Sequence, residues 1–430
     1  MEENQVYIPD GWHLKQVQEF AVKMRSGGTP KSDNPNYYNG EIPFVAIDDL
    51  TSANKYLEKT QKHITKEGLI NSSAWLVPIN SLMYSIYATL GVPRINLIEV
   101  ATNQAILNLI PDTNKITLEF LYYLLLEKRS TILAHSAHTT QSNLNAKVVK
   151  ELEFVFPKST TEQTAIANIL SKTDQAIAHT EALIAKYSRI KTGLMQDLLT
   201  KGIDENGNIR SEQTHEFKDS PLGRIPKEWE CLSIKDIAER LRSGVTPKGG
   251  SDVYEKEGIL LIRSQNVYSY GFKLDDVAHI NEEINNRMLG SQLKEFDVLL
   301  NITGASIGRA TYVPEGFPRA NVNQHVCAIR LKKADLNNAI FLSSYLNSIY
   351  GQNQIYQNIA GSNREGINYT QIKEINIPFF NNDFELNKFS EMITKSNERI
   401  NSEMKKLSKL QYLKTGLMQD LLTGKVRVKK

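Results

Sequence analysis

One ten-residue segment occurs twice in this chain of 430 residues. The residues from Lys191 to Thr200 read KTGLMQDLLT, and the same letters return from Lys414 to Thr423, at an offset of 223 residues. An identity of this length inside one chain indicates an internal duplication. Because the period is so long, it predicts two duplicated domains and not a solenoid of short units.

The duplication extends toward the start of each half. The motif RSGGTPK at 25–31 corresponds to RSGVTPK at 242–248 at an offset of 217, and Asn103-Gln104 corresponds to Asn323-Gln324 at an offset of 220. Between these shared motifs the two halves differ widely. A common frame with divergent contents predicts two equivalent modules that face different targets.

Composition places the chain among ordinary globular proteins. Apolar residues make up 40% and charged residues 23%, and the formal net charge is +3, so any basic binding surface must be local. Two cysteines, Cys231 and Cys327, without Cys-x-x-Cys spacing argue against a disulfide framework or a zinc site. The polar, acidic N-terminus and the lack of any apolar run of roughly 18 residues lead us to expect a cytoplasmic protein.

Changes in composition along the chain indicate mixed α/β modules separated by long helices. The predicted segments are a first module at 1–157, a central helix within 158–200, a polar linker at 201–224, a second module at 225–380, a distal helix within 381–424, and a basic tail at 425–430. The tail is expected to fray. Within the first module, strands are predicted at 42–47, 81–86 and 152–156, and a short helix at 117–128.

The two long helices carry matching apolar stripes. From 162 to 200 there is no proline, and apolar residues recur at alternating spacings of four and three with three polar interruptions. Such a helix, roughly 58 Å long, cannot bury its stripe alone. We expect the two helices to pack on each other as an antiparallel coiled coil with a pseudo-twofold internal repeat; the alternative is that each packs only on its own module. The predicted packing residues are Leu170, Ile177, Ile184, Leu194, Met195, Leu198, Ile393, Ile400, Leu407, Leu417, Met418 and Leu421.

Several motifs hint at catalysis, but each is incomplete. The segment TGASIGR at 303–309 lacks the Gly-Lys-Ser/Thr ending of a phosphate-binding loop. The segment NPNY at 34–37 lacks the second proline of the amino-methyltransferase box, and His135 and His138 have no accompanying carboxylate helix. We therefore predict no catalytic residue and no metal site, and these absences together favour a recognition protein.

Several segments of the sequence resemble one known family. The stretch GGTPKSDNPNYYNGEIPFVAIDDL at 27–50 is similar to the opening of a target recognition domain of type I restriction–modification specificity subunits. The repeated segments at 191–200 and 414–423 are similar to the conserved helical regions of that family, and NITGASIGR at 301–309 adds to the resemblance. The similarity covers essentially the whole chain in the family's order of recognition domain, helix, recognition domain, helix.

This resemblance implies a non-catalytic subunit that reads double-stranded DNA. Each recognition domain would read one half of a bipartite, asymmetric target, while the paired helices set the spacer and dock two methyltransferase subunits. Those partners would carry S-adenosylmethionine and methylate adenine N6, and two restriction/translocase subunits would use ATP and Mg. The alternatives are a self-contained DNA methyltransferase and a duplicated scaffold that binds only proteins.

Loops are the expected DNA contacts, because base edges and phosphates require amide, hydroxyl, guanidinium, ammonium and carboxylate groups. The candidate loops are 26–31, 48–52, 87–94 and 138–143 in the first module, and 243–248, 263–266, 303–309 and 362–365 in the second. The predicted DNA-binding residues are Ser26, Thr29, Lys31, Asp48, Asp49, Arg94, Gln141, Asn143, Ser243, Thr246, Lys248, Arg263, Gln265, Asn266, Arg309, Asn363 and Arg364. The alternative for any one of them is a solvated loop residue or a cap.

Overall fold

The computed structural model describes residues 7–87, 89–129, 133, 144–247, 249–360 and 366–428. The helices discussed below are α1 (Ile47–Ser52), α2 (Lys66–Ile70), α3 (Leu118–Glu127), α4 (Ala146–Glu151), α5 (Thr160–Thr200), α6 (Ile234–Ile237), α7 (Glu282–Arg287), α8 (Leu336–Asn347), α9 (Ile349–Ala360), α10 (Tyr369–Lys373) and α11 (Asp383–Leu422).

The strands that the structure describes are short, with two to eight residues each. Those of the first half are β1 (Trp12–Gln16), β2 (Ala21–Ser26), β3 (Tyr38–Val45), β4 (Tyr56–Leu57), β5 (Lys62–Ile64), β6 (Leu82–Ser85), β7 (Pro93–Asn96), β8 (Ala101–Thr102), β9 (Ile106–Pro111) and β10 (Glu153–Pro157). Those of the second half are β11 (Phe217–Ser220), β12 (Gly223–Pro226), β13 (Glu230–Ser233), β14 (Ala238–Ser243), β15 (Ile259–Ile262), β16 (Val267–Tyr268), β17 (Gly271–Phe272), β18 (Ala278–Ile280), β19 (Val298–Asn301), β20 (Ala310–Tyr312), β21 (Ala320–Val322), β22 (Val326–Leu331) and β23 (Asn376–Phe379).

The chain divides into two units, and both divisions fall inside the long helices. The first unit comprises Met1–Thr180 and Lys406–Lys430, and the second comprises Glu181–Lys405. Each unit therefore contains part of α5 and part of α11. The segment boundaries drawn from the sequence, which keep each helix apart from the modules, stay a prediction.

A five-stranded sheet frames the first unit. Its order is β2-β9-β6-β7-β4, and a three-stranded sheet β5-β3-β8 and the pair β1-β10 complete the strands. Strand β6 is buried along its whole length, which is typical of a strand covered on both faces. The helix predicted at 117–128 is α3, and its buried aromatic residues Phe120 and Tyr123 lie in the same core as β6 and β9.

The second unit repeats this strand order. The sheet β14-β22-β19-β20 follows the order of β2-β9-β6-β7, the sheet β18-β15-β21 follows β5-β3-β8, and β13-β23 follows β1-β10. The parallel pairing is repeated as well, since Val45 lies opposite Thr102 and Ile262 lies opposite Val322. The duplicated sequence motifs thus belong to matching strands and to the turns that follow them.

The two long helices predicted from the sequence are present, and their bounds differ from the prediction by two residues or fewer. In the first unit Leu170 and Leu421 lie in one buried core, and Leu417 and Met418 pack against it. In the second unit Met195, Leu198 and Ile393 lie in one core, and Leu194 packs against it. The remaining predicted packing residues, Ile177, Ile184, Ile400 and Leu407, are only half-buried.

Within the first unit the helices run in opposite directions. Lys414 Nζ lies 2.6 Å from Asp174 Oδ1, and Arg427, just after α11, lies 2.7 Å from Glu162 Oε1. Residues near the end of α11 and just after it therefore contact residues in the first half of α5, as in an antiparallel pair of helices.

The segment 201–224, predicted to be a linker, is instead packed and partly regular. It contains strand β11 and the start of β12, which form an antiparallel hairpin, and its Ile203 and Arg210 are buried. The cause is the carboxylate of Glu385, which is 3% exposed. Its Oε1 accepts hydrogen bonds from Arg210 Nη1 at 2.5 Å and from Ile203 N at 2.7 Å, and its Oε2 accepts one from Trp229 Nε1 at 3.0 Å.

The C-terminal tail, expected to fray, is held through Val428. Arg427 donates hydrogen bonds to both carboxylate oxygens of Glu162, at 2.7 and 2.9 Å, and to Asp10 O at 2.7 Å, while Val428 packs against the core. Glu162 precedes Glu385 by the repeat offset of 223. The same arginine–carboxylate link is therefore built twice, with Arg427 exposed and Arg210 buried.

Arg210→Met should lower the free energy of unfolding of the second unit by about 3–5 kcal/mol, because it leaves the buried Glu385 carboxylate without its counter-charge. Arg427→Met is the matched control and should cost less than Arg210→Met, because the Arg427 side chain is 42% exposed and its ion pair is partly screened by water. Urea unfolding followed by tryptophan fluorescence measures both. Equal losses in the two variants would contradict the assignment of the Arg210 pair as the buried one.

Candidate nucleic-acid interface

A glycine in each RSGxTPK motif lies directly against a neighbouring backbone. Gly27 N donates a hydrogen bond to Ile106 O at 3.0 Å, and Gly244 N donates one to Asn323 O at 3.2 Å. A Cβ atom at either glycine would overlap a carbonyl oxygen at the end of the adjacent strand. Only glycine fits at these positions, which explains physically why both copies retain it.

A threonine–glutamine pair follows in both modules. Thr29 Oγ1 donates to Gln104 Oε1, and Thr246 Oγ1 donates to Gln324 Oε1. All four residues are exposed. The two threonines were predicted DNA-binding residues and the two glutamines were not, although the repeated Asn-Gln motif was the signal that could have identified them.

The Asn-Gln turn also lies against the end of the parallel strand. Asn103 N donates to Val45 O at 3.1 Å, and Asn323 N donates to Ile262 O at 3.1 Å. In each module this hydrogen bond brings the RSGxTPK loop and the residues after the parallel strand to one place.

Two predicted DNA-binding residues, Asp49 and Asn266, are instead buried caps. Asp49 Oδ2 accepts from Ala46 N at 2.9 Å, and Asn266 Oδ1 accepts from Arg263 N at 3.0 Å. They are 5% and 2% exposed and occupy equivalent positions at the offset of 217. The predicted loop at 48–52 is accordingly part of helix α1. Their polar atoms hold the local backbone, so we do not assign them to DNA.

The residue just before each cap is exposed and differs between the modules. Asp48 occupies this position in the first module and Gln265 in the second. Gln265 Nε2 donates to Asp276 Oδ2 at 2.9 Å, which holds the amide at the surface. At equivalent positions, the first module therefore presents a carboxylate to solvent and the second module presents an amide.

In the second module, further hydrogen bonds link the Thr246–Gln324 pair through His325 to Thr303. His325 Nε2 lies 3.2 Å from Gln324 Nε2, and His325 Nδ1 lies 2.6 Å from Thr303 Oγ1. Asn301, which is fully buried, donates from Nδ2 to Ser264 O at 2.9 Å. These contacts join three of the predicted loops, 243–248, 263–266 and 303–309. His325 was missed because a single histidine after Asn-Gln carries no distinctive pattern.

Two half-buried arginines lie beside this network. The Arg263 guanidinium donates to Asp276 O at 2.8 Å and lies 5.7 Å from the Tyr254 ring centroid. The Arg309 guanidinium stacks 4.6 Å from the centroid of Tyr268. Aromatic contact and backbone acceptors restrict both side chains, which is the preorganisation that a rigid polar contact requires.

The remaining predicted DNA-binding residues differ in their exposure and in their contacts. Lys31 is exposed, whereas Ser26 and Ser243 are half-buried, and Ser243 N donates to Tyr369 Oη at 2.6 Å. Arg94 donates from Nε to Ala53 O at 2.9 Å, and burial lowers the pKa of its guanidinium below the usual value. The candidates Gln141, Asn143, Lys248, Asn363 and Arg364 lie outside the described residues.

In the ranges that the structure describes, no group of three or more His, Cys, Asp or Glu side chains is arranged to hold a metal ion. Within the same ranges, none of the helices is both long and apolar enough to cross a membrane.

Comparison with known proteins gives one consistent answer. The family described as "Type I restriction modification DNA specificity domain" matches residues 9–187 and 226–380. The MjaIX specificity subunit of a type I restriction enzyme from Methanocaldococcus jannaschii is 23% identical over 98% of this chain and 95% of its own length. The EcoBI specificity subunit from Escherichia coli is 23% identical over 86% of this chain and 76% of its own length.

A solved structure has the same fold. The type I restriction–modification S subunit from M. genitalium superposes with a TM-score of 0.61 at 17% identity, covering 98% of both chains. The family predicted from the sequence is confirmed: this chain belongs to the type I restriction–modification DNA specificity family, whose members are non-catalytic recognition subunits.

Proposed function

We propose that this chain reads a bipartite, asymmetric DNA target, with one half-site for each module. The observation that carries the proposal is the pair Asp48 and Gln265. Both side chains are exposed, and each directly precedes a buried capping residue at an equivalent position of its module. One side chain is a carboxylate and the other is an amide. A carboxylate accepts a hydrogen bond from cytosine N4, whereas an amide can form two hydrogen bonds with adenine. This position can therefore distinguish two different half-sites.

Residues that are the same in both modules cannot distinguish different sequences. The threonine–glutamine pairs are identical, exposed and held in the same way, so they suit the part of DNA that is the same at both half-sites, the sugar–phosphate backbone. We assign Thr29, Thr246 and Lys31 to backbone contact. Arg263 and Arg309, which the first module does not repeat at the equivalent positions, are assigned to the second half-site.

In this proposal the long helices α5 and α11 set the spacing between the two half-sites. In each unit, one end of α5 and the opposite end of α11 contribute to the same core. The ion pairs of the first unit show that the two helices run in opposite directions there. These contacts support an antiparallel coiled coil with a pseudo-twofold axis. Such an axis would offer two identical methyltransferase subunits equivalent docking surfaces.

The repeated segment has features that packing within this chain does not require. Gly193 and Gly416 lie inside long helices, where glycine costs about 1 kcal/mol relative to alanine. No atom lies within 4 Å of the Cβ position at either glycine, so the described part of the chain does not demand them. The neighbouring Thr192 and Gln196 are exposed and identical to Thr415 and Gln419.

An external partner that approaches the helix backbone closely would require this small, polar surface. We propose that the repeated segments dock the two methyltransferase subunits and, through them, two restriction/translocase subunits. In this arrangement S-adenosylmethionine, ATP and Mg belong to the partners.

Gln265→Ala should weaken recognition of the second half-site by about 1–3 kcal/mol and leave the first unchanged, and Asp48→Ala should do the reverse. The measurement is methylation, by the complex with methyltransferase subunits, of duplexes in which one half-site at a time is altered. Asn266→Ala is the control for a structural effect and should lower the thermal midpoint, since it removes a buried cap. A loss at both half-sites from Gln265→Ala, with unchanged stability, would show that the modules do not read independently.

Gly193→Leu should weaken the binding of one of the two methyltransferase subunits by about tenfold or more, because the added side chain keeps the partner from the helix backbone. Leucine is a better helix former than glycine, so the stability of the chain should not fall. Ala185→Leu, at an exposed position of the same helix outside the repeated segment, is the matched control. Sedimentation analysis of the complex gives the stoichiometry, and two tightly bound subunits in the Gly193→Leu variant would contradict docking at this segment.

A further inference from the structure

A cleft of about 730 Å³ lies within the second unit, beside the repeated segment of α5. It is bounded by α5, α8, the start of α9, α11 and the β16–β17 hairpin. Lys191, the first residue of the repeated segment, lines it together with Thr192, Met195, Tyr350 and Asn397. The cleft thus combines an apolar wall with a single ammonium group from α5.

The first unit shows what normally satisfies this lysine. The repeat-related Lys414 places its Nζ 2.6 Å from Asp174 Oδ1, and Asp174 Oδ2 accepts a hydrogen bond from Tyr123 Oη at 2.7 Å. At the repeat offset of 223, Asp174 corresponds to Asn397. The second unit therefore keeps the lysine but has a neutral amide where the first unit has the carboxylate.

Lys191 consequently lacks a counter-charge. No residue in the described ranges forms an ion pair or a hydrogen bond with its Nζ. Glu398 also lines the cleft but does not pair with it. The lysine is half-buried, and this burial lowers the pKa of its ammonium group. A partly desolvated charge without a partner is unfavourable, so a carboxylate that enters the cleft would supply the missing counter-charge.

The surroundings suit a carboxylate. Besides Lys191, the side-chain amides of Asn397 and Asn401 line the cleft and can donate hydrogen bonds. The donors of Thr192, Ser343 and Asn347 are already used within the chain. Charge-assisted hydrogen bonds from an ammonium group and neutral donors are the usual means of holding an oxyanion. Gln196, three residues after Gly193 and therefore on the same side of α5, also lines the cleft, so a protein that docks around Gly193 can extend into the cleft.

We propose that this cleft receives the side-chain carboxylate of an Asp or Glu from the methyltransferase subunit that docks on the second unit. The inference rests on the proposed docking function and adds its chemistry. The two docking sites are then unequal, since the lysine of the first unit is satisfied by Asp174 within the chain and that of the second unit is satisfied by the partner.

The test uses the full chain and purified methyltransferase subunits in calorimetric titrations at two salt concentrations. Lys191→Met should weaken one of the two sites by about tenfold and reduce its salt dependence. Asn397→Asp should weaken the same site similarly, because it supplies an internal carboxylate while keeping the lysine. Lys186→Met, at an exposed lysine of the same helix outside the cleft, is the control and should leave both sites unchanged.

The outcomes separate the two proposals. Two unchanged sites in both Lys191→Met and Asn397→Asp would overturn the carboxylate assignment and leave docking intact. Failure of the unaltered chain to bind any methyltransferase subunit would overturn docking itself. Saturable binding of free acetate at the cleft of the isolated chain, lost in Lys191→Met but without effect on subunit binding, would assign the site to a small carboxylate and also overturn the proposal.

Discussion

A helix of 41 residues with a single apolar stripe cannot remain isolated in water, because its packing and not its intrinsic propensity supplies most of its stability. The structure meets this constraint by burying opposite ends of α5 and α11 in each unit. Leu170 lies in one core with Leu421, and Leu198 lies in one core with Ile393. Each unit is therefore completed by residues far apart in sequence. The arginines that follow the two helices each pair with a carboxylate near the start of the other helix, and Arg210 is buried whereas Arg427 is exposed.

Duplication separates the residues that build the frame from those that can carry specificity. Gly27 and Gly244 are required by backbone contact, and Asp49 and Asn266 cap equivalent turns. On this shared frame, Asp48 and Gln265 are free to differ. The same comparison applied to the helices identifies Lys191. Its repeat equivalent, Lys414, pairs with Asp174, whereas the residue equivalent to Asp174 in the second unit is Asn397. Differences between the two copies thus identify candidate functional groups without any alignment of other proteins.

Much of the fold could be predicted because its signals are local or periodic. The heptad spacing and the absence of proline gave the bounds of the long helices to within two residues, and the repeated motifs indicated two matching modules. Burial was harder to predict, since Asp49 and Asn266 look like exposed loop residues until the backbone donors that they cap are known. The packed linker and tail depend on Glu385 and Glu162, which lie 175 and 265 residues from their arginines. Side-chain pairs at such separations leave no pattern in a single sequence.

We propose that the paired helices fix the distance between the two half-sites that the modules read. Deleting one heptad from each helix at repeat-related positions, 181–187 and 404–410, shortens the pair by roughly 10 Å. Because DNA rises about 3.4 Å per base pair, the spacer should shorten by about three base pairs. Methylation by the complex on duplexes with systematically varied spacers measures this directly. We expect activity on the original spacer to be lost and any remaining optimum to lie about three base pairs shorter. An unchanged optimum in a folded variant that still binds methyltransferase subunits would contradict this role of the helices.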